Sequence, residues 1–99
     1  MSNDKIKLNY PAMQEMAQHC KSTAQRLTET THLAQQAAQE MQNGAMVGDP
    51  GEAFSSALTN AFIPAVTKLS QKFEEVANDI QSAIEIMKSE DTKAAGNFN

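Results

Sequence analysis

The sequence predicts an all-α protein in which two long helices form an antiparallel hairpin that dimerises into a four-helix bundle. The first observation is composition, because 99 residues contain only four Gly and three Pro, too few for the many tight turns of a β-rich fold. The second is that residues 12–43 contain neither Gly nor Pro. The third is spacing, because apolar or small residues recur at steps of four and three in both halves of the chain, as in helices packed nearly parallel to a partner.

Charge and composition exclude several classes of protein. A formal net charge of −4 argues against a nucleic-acid binder, which normally carries a basic face. No apolar run approaches the ~20 residues that a membrane-spanning helix needs, so no stable membrane insertion is expected. The first residues lack the apolar stretch of a cleaved signal peptide, so the chain is expected to be made in the cytoplasm, with export by another route left open.

Residues 1–10 are predicted to form a polar lead and residues 11–43 the first helix. Pro11 suits the first helical position, where the N–H that it lacks would have no partner, and Tyr10 is then the N-cap. Gly44 follows as the residue that ends the helix. The face predicted to pack on the second helix consists mostly of small residues, namely Met13, Ala17, Cys20, Ala24, Leu27, Thr31, Ala34, Ala38 and Met41.

Residues 44–49 are predicted to form the turn, and residues 50–88 the second helix. The start of this helix carries a strong sequence signal. Asp49 is the expected N-cap, Pro50 suits the first helical position, and Glu52 at the third can reach back to the N–H of the cap.

The second helix carries larger apolar residues than the first, and it contains one proline. Pro64 cannot donate a hydrogen bond to the carbonyl of Asn60, which predicts a kink near this residue. Residues 89–99 lose the apolar pattern and are expected to be a flexible tail. The apolar stripe of this helix is predicted to be Leu58, Phe62, Val66, Leu69, Phe73, Val76, Ile80, Ala83 and Met87.

The large residues of the second helix are predicted to pack on the small residues of the first, which allows a close approach. Other apolar residues lie off both stripes, and a lone hairpin would leave them exposed: Met16, Leu33, Phe54, Ile63, Ile84 and Ile86. They predict a second contact with another hairpin. The interface of the hairpin and its dimer is expected to contain Met13, Cys20, Leu27, Met41, Leu58, Phe62, Val66, Leu69, Phe73, Val76, Ile80 and Met87.

No set of residues predicts a catalytic site, a cofactor or a metal ion. Glu15 and His19 lie one helical turn apart but have no third ligand at helical spacing. Glu74, Glu75 and Asp79 are expected to form a solvated face of one helix, not an acid–base pair. The single cysteine is expected to be a small apolar residue of the core face, with an intermolecular disulfide or a reactive thiol as alternatives.

The segment at the predicted turn reads M-V-G-D-P-G-E-A-F from position 46 to position 54. It resembles the turn of the WXG family, the small ESAT-like helical hairpins of type VII secretion, which carry W-x-G at mid-chain. Met46 occupies the place of the Trp, Gly48 matches the glycine, and Ala53 and Phe54 match the small residue and the aromatic that follow. Gly48 is also expected to adopt a positive φ in the turn. Together with Asp49, these four residues are the predicted turn motif.

The resemblance implies a non-enzymatic protein that a type VII system exports without a cleaved signal peptide, or that acts as partner or targeting adaptor of a larger effector. The implied partners are a second hairpin of the same or another kind, the helical N-terminal region of a secreted toxin, and the secretion ATPase. Many such proteins carry an export signal, Tyr-x-x-x-Asp/Glu, just after the second helix. Met87 and Asp91 occupy the matching places, where Met87 is expected to pack on the bundle and Asp91 to point into solvent. The alternative from another class is a structural helical interaction module that is never secreted.

Overall fold

The computed structural model describes residues 9–45 and 48–96, which form an antiparallel hairpin of two helical arms. The first arm is helix α1 (Tyr10–Glu40), continued by the segment Met41–Ala45, within which the helical backbone ends at Gly44. The second arm is α2 (Asp49–Ala57), a π-helical turn at Leu58–Phe62, and α3 (Ile63–Gly96). The described ranges contain no strand, and the predicted all-α hairpin is confirmed. The molecule measures 76 × 27 × 17 Å, so it is a single layer of two helices.

Helix α1 begins with a side-chain cap from Asn9. The Asn9 Oδ1 atom accepts a hydrogen bond from the Ala12 N–H at 3.0 Å, and the Asn9 carbonyl accepts one from the Met13 N–H at 3.0 Å. The predicted N-cap, Tyr10, is wrong, because Tyr10 is the first residue inside the helix. The short Asn side chain can reach the free N–H groups of the first turn, whereas a phenol is too long to do so.

Two glycines with positive φ bracket the turn. Gly44 has φ 108° and ψ 3°, and it ends the first arm as expected. Gly48 has φ 97° and ψ −172°, a conformation that is essentially restricted to glycine, and its expected positive φ is confirmed. Met46 of the predicted turn motif lies outside the described residues.

Helix α2 is capped by backbone alone. Gly48 occupies the N-cap position, and its carbonyl accepts hydrogen bonds from the N–H groups of Gly51 at 3.1 Å and Glu52 at 3.2 Å. The prediction that Asp49 is the N-cap, with Glu52 reaching back to it, is therefore wrong. Asp49 lies inside the first turn, where a negative charge interacts favourably with the positive end of the helix dipole.

The second arm passes through a π-helical turn just before Pro64. There the Ile63 N–H donates to the Leu58 carbonyl, five residues back instead of four. A π turn inserts one extra residue into a helix, and Pro64, which has no N–H, occupies the second position of α3. The insertion advances the core face by one residue, so half-buried Ile63 takes the place that an uninterrupted α-helix would give to Phe62.

The two arms pack through a narrow core. On α1, every residue of the predicted packing face is buried or half-buried; those buried are Ala17, Ala24, Thr31, Ala34 and Ala38. On α3, the fully buried positions are Ser70, Ala77 and Ile84, and Val66, Phe73, Ile80 and Met87 are half-buried between them. The α3 stripe needs a correction at Phe62, Leu69 and Val76. These three are 38% to 48% exposed and lie beside the core face, because the π turn shifts the buried positions by one residue.

Hydroxyl groups link the arms at the middle of the hairpin. The buried Ser70 Oγ donates to the backbone carbonyl of Ala24 at 2.8 Å. The Thr28 Oγ1 atom lies 2.9 Å from the Ser70 Oγ and 3.1 Å from the same carbonyl. Only a small side chain at position 24 leaves that carbonyl accessible, and these bonds define which residues of the two arms face each other.

Replacement of Ile84 by Ala is expected to reduce the free energy of unfolding by about 2–5 kcal/mol, because the side chain is 1% exposed and its loss leaves a cavity. The matched control is Ile86→Ala on the same helix, where the side chain is 61% exposed. Urea denaturation followed by circular dichroism measures both. Equal losses in the two variants would contradict the assigned core face.

Replacement of Gly48 by Ala is expected to cost about 1–3 kcal/mol of stability through backbone strain alone. A Cβ atom there would meet only the Cδ of Pro50, at an ordinary 3.9 Å, so a steric clash is not involved. Gly44→Asn is the control, because Asn tolerates a left-handed backbone at a helix end, and a smaller loss is expected. Thermal melts of the two variants that showed the opposite order would contradict this account of the turn.

Candidate interaction surface

One side of the hairpin carries most of the exposed apolar surface. Among the described residues, seven large apolar side chains are exposed, and five of them lie on this side. Leu69 and Val76 follow Phe62 at intervals of seven, so the three share a face of the second arm. We call the five residues the apolar side face: Met16, Phe54, Phe62, Leu69 and Val76.

The geometry of an antiparallel pair explains why both arms contribute to this face. A residue that comes just before a core position is rotated by about 100° from the line between the helices. Because the arms run in opposite directions, the rotation leads to the same side of the hairpin on both. Met16 precedes buried Ala17, and Leu69 precedes buried Ser70. Thr23, Ala37 and Ala83 occupy equivalent positions, so small residues complete the face.

The opposite side of the hairpin is polar. Lys21, Thr28 and Glu74 line a shallow depression beside Ser70 on that side. The equivalent positions along the two arms carry Gln35, Gln42 and Gln81, all exposed. Gln42 also links the arms near the turn, because its Nε2 donates to the buried Ser55 Oγ at 3.3 Å. The hairpin as a whole is therefore amphipathic, with one apolar side and one polar side.

Leu33 and Ile86, the other two exposed large residues, lie at different positions of the repeat. Each precedes a residue of the second core position, Ala34 or Met87, so it points further from the partner arm and lies about 40° around the helix from the apolar side face. Both residues therefore border that face on the outer surface of the hairpin. In a test of the face they mark its outer margin.

At the turn, the structure separates the predicted motif residues. Gly48 has a backbone role, and Asp49 and Ala53 are exposed on α2. Phe54 is half exposed and precedes buried Ser55, which places it at the end of the apolar side face. The motif therefore does not form one compact site within the described residues. Its aromatic residue belongs to the same surface as Phe62 and Leu69.

The open end of the hairpin, where α1 begins and α3 nears its last turns, carries a contact that sequence reasoning missed. The Tyr10 hydroxyl donates to Asp91 Oδ2 at 2.7 Å. The Lys88 ammonium lies 5.5 Å from the centroid of the Tyr10 ring, within the range of a cation–π contact. Asp91 is exposed, as expected, but its carboxylate has a partner. No local sequence signal pairs the two residues, because they are 81 positions apart and meet only through the docking of the arms.

The electrostatics of this contact favour the neutral phenol. The hydrogen bond to Asp91 is the main cause that raises the pKa of Tyr10, and the negative charge of Asp91 adds to it. Ionised Tyr10 would lose the donated bond and repel the carboxylate. Met87, one turn before Asp91, is half-buried on the core face.

The polar residues considered for chemistry lie on exposed helix surfaces. Lys72 Nζ and Glu75 Oε1 form an ion pair at 2.9 Å, and this bond raises the pKa of Lys72 and lowers that of Glu75. Across the described residues, no three His, Cys, Asp or Glu side chains are close enough to hold a metal ion. Cys20 is a half-buried free thiol on the core face of α1. None of the helices described is both long enough and apolar enough to cross a bilayer.

Comparison with known proteins gives one match. The family model described as proteins of 100 residues with WXG matches residues 5–92 of the chain. This range contains the first arm, the turn, most of the second arm and the open-end contact. No curated protein and no solved structure matches the chain.

Proposed function

The chain belongs to the WXG100 family, and we propose that it is a non-enzymatic hairpin protein that a type VII system exports, alone or as partner and targeting adaptor of a larger effector. The family consists of small helical proteins associated with type VII secretion. The proposed mode of action is association through a helix face. The observation that carries the proposal is the apolar side face, because five large apolar side chains remain 38% to 50% exposed on it.

The shape of the apolar side face favours a long helical partner. The face runs along the hairpin axis with a seven-residue repeat, and the molecule is only 17 Å thick in its smallest dimension. A single layer of two helices encloses only a narrow core, and a second layer would cover the apolar side face. The proposed partner is therefore another hairpin, identical or heterologous, which completes a four-helix bundle. The helical N-terminal region of a secreted toxin would present the same kind of surface.

The polar side limits the assembly. Glutamines and charged residues cover the side opposite the apolar side face, so a second hairpin can bury apolar surface on one side only. A pair of hairpins is thus expected, in preference to an open-ended stack.

The association test is a double variant, Leu69→Ser with Val76→Ser, compared with the control Leu33→Ser with Ile86→Ser. The first pair removes apolar surface from the side face, and each pair leaves the core untouched. Sedimentation equilibrium is expected to show weaker association of the side-face variant, with Kd raised by about tenfold or more, and a smaller effect in the control pair.

Two other results would change the assignment. A stronger effect of the control pair would centre the interface on the outer surface of the arms, beyond the apolar side face. A wild-type protein that stays monomeric at micromolar concentration would exclude self-association and leave the heterologous partner.

For export, the proposed signal is the open end of the hairpin, with Met87 and Asp91 as the residues that the secretion ATPase reads. Met87 is partly accessible and Asp91 is exposed one helical turn later, so both can be contacted together. The protein would be made in the cytoplasm and leave the cell without a cleaved signal peptide.

Replacement of Asp91 by Ala is expected to lower the amount of protein in the culture supernatant relative to the cell pellet of the native host. Glu90→Ala is the matched control, because Glu90 is the adjacent exposed carboxylate on α3. Circular dichroism of the purified variants checks that both fold. Unchanged export of Asp91→Ala would mean that a partner carries the signal, and wild-type protein found only in the pellet would identify a non-secreted structural module.

A further inference from the structure

We infer that Tyr10 is a positioning residue for Asp91, so that the open end of the hairpin is read as one surface built from both arms. This inference rests on the proposed export role of Asp91. It assigns a role to a residue of α1 that lies outside the turn motif and outside the last turns of α3.

The contact joins the first turn of α1 to the last turns of α3. Tyr10 is the first residue of α1, and the carboxylate that it binds is 81 positions later in the sequence. Lys88 and Asp91 lie one helical turn apart on α3, and both contact the same tyrosine, one through the ring and one through the hydroxyl. The contact thereby brings together a ring from α1 and a cation and a carboxylate from α3. Neither arm could form this arrangement alone.

The contact fixes the orientation of the Asp91 carboxylate. An exposed Asp side chain near a helix end is free to change rotamer, whereas a charge-assisted hydrogen bond of 2.7 Å holds it in one orientation. The bond uses Oδ2 and leaves Oδ1 to accept a hydrogen bond from a partner protein. That partner needs a donor group for Oδ1 and an apolar contact for the tyrosine ring.

A consequence is that recognition depends on a closed hairpin. When the arms separate, Tyr10 moves away with α1, and the carboxylate loses its partner. The composite surface therefore exists only while the hairpin is folded. A recognition element on one helix would lack this dependence. An exposed hydrogen bond adds little to global stability, so its loss is expected to change recognition without unfolding the protein.

Ultraviolet absorbance titration tests the contact directly, because Tyr10 is the single tyrosine and the chain has no tryptophan. Asp91→Ala removes both the acceptor and the charge that raise the pKa of Tyr10, so the titration midpoint is expected to fall below that of wild type. Glu90→Ala is expected to leave the midpoint at the wild-type value. Identical midpoints in wild type and Asp91→Ala would overturn the inference.

The export assay tests the role. Tyr10→Phe keeps the ring beside Lys88 and removes only the hydroxyl. Export is expected to fall by about two- to tenfold, the range that loss of one hydrogen bond gives, while thermal melts match wild type. A second substitution that leaves the Asp91 carboxylate without a hydrogen bond is not expected to restore export of Tyr10→Phe.

The two hypotheses fail in different ways. A loss of export in Asp91→Ala together with wild-type export in Tyr10→Phe would overturn the positioning role and leave the proposed export signal intact. Wild-type export in Asp91→Ala would overturn the export signal and the positioning role with it. A loss in both variants, with Glu90→Ala unaffected, supports both.

Discussion

The hydrogen bond from Ser70 to the Ala24 carbonyl requires a close approach of the two arms, and much of the structure depends on that approach. The bond is 2.8 Å long and connects a side chain of α3 with the backbone of α1. It is possible because alanines cover the facing surface of α1. Helices at this distance leave little room between them, so Ile84 is the only large side chain among the described residues that is fully buried. The hairpin is therefore held by a thin core and by a few polar contacts.

The same constraint explains the apolar side face. Large residues of the second arm that do not fit between the helices lie beside the core, and the π turn before Pro64 determines which ones they are. Phe62, Leu69 and Val76 would continue the core phase of Leu58 if the helix were uninterrupted. One inserted residue rotates them out, and a surface for a partner results. An internal irregularity of the backbone is thus connected to the proposed mode of action, association through a helix face.

The open end depends on the arms in another way. Tyr10 and Asp91 meet only because the arms are antiparallel, which brings the start of α1 beside the last turns of α3. Membership of the WXG100 family connects this geometry with type VII secretion. In the proposed function, the side face binds a partner and the open end addresses the complex to the export machinery. The two surfaces are separate on the hairpin and can be tested by separate variants.

Local features of the chain were predictable from sequence. The spacing of apolar residues predicted the all-α hairpin, and the whole packing face of α1 agrees with the burial in the structure, because no irregularity interrupts that helix before the turn. The positive φ of Gly48 and the WXG family were also predicted correctly, since both follow from residue types at fixed positions near mid-chain.

The tertiary structure decided what depends on more than one element. Asn9 and Gly48, not Tyr10 and Asp49, are the helix caps, because a shift of one residue in a helix start changes which group reaches the free N–H groups. The core face of α3 depends on the π turn and on the distance between the arms. The periodic pattern of one helix gives no information about either. The pairing of Tyr10 with Asp91 exists only when both arms are docked, since contacts between residues 81 positions apart are fixed by packing and not by local sequence.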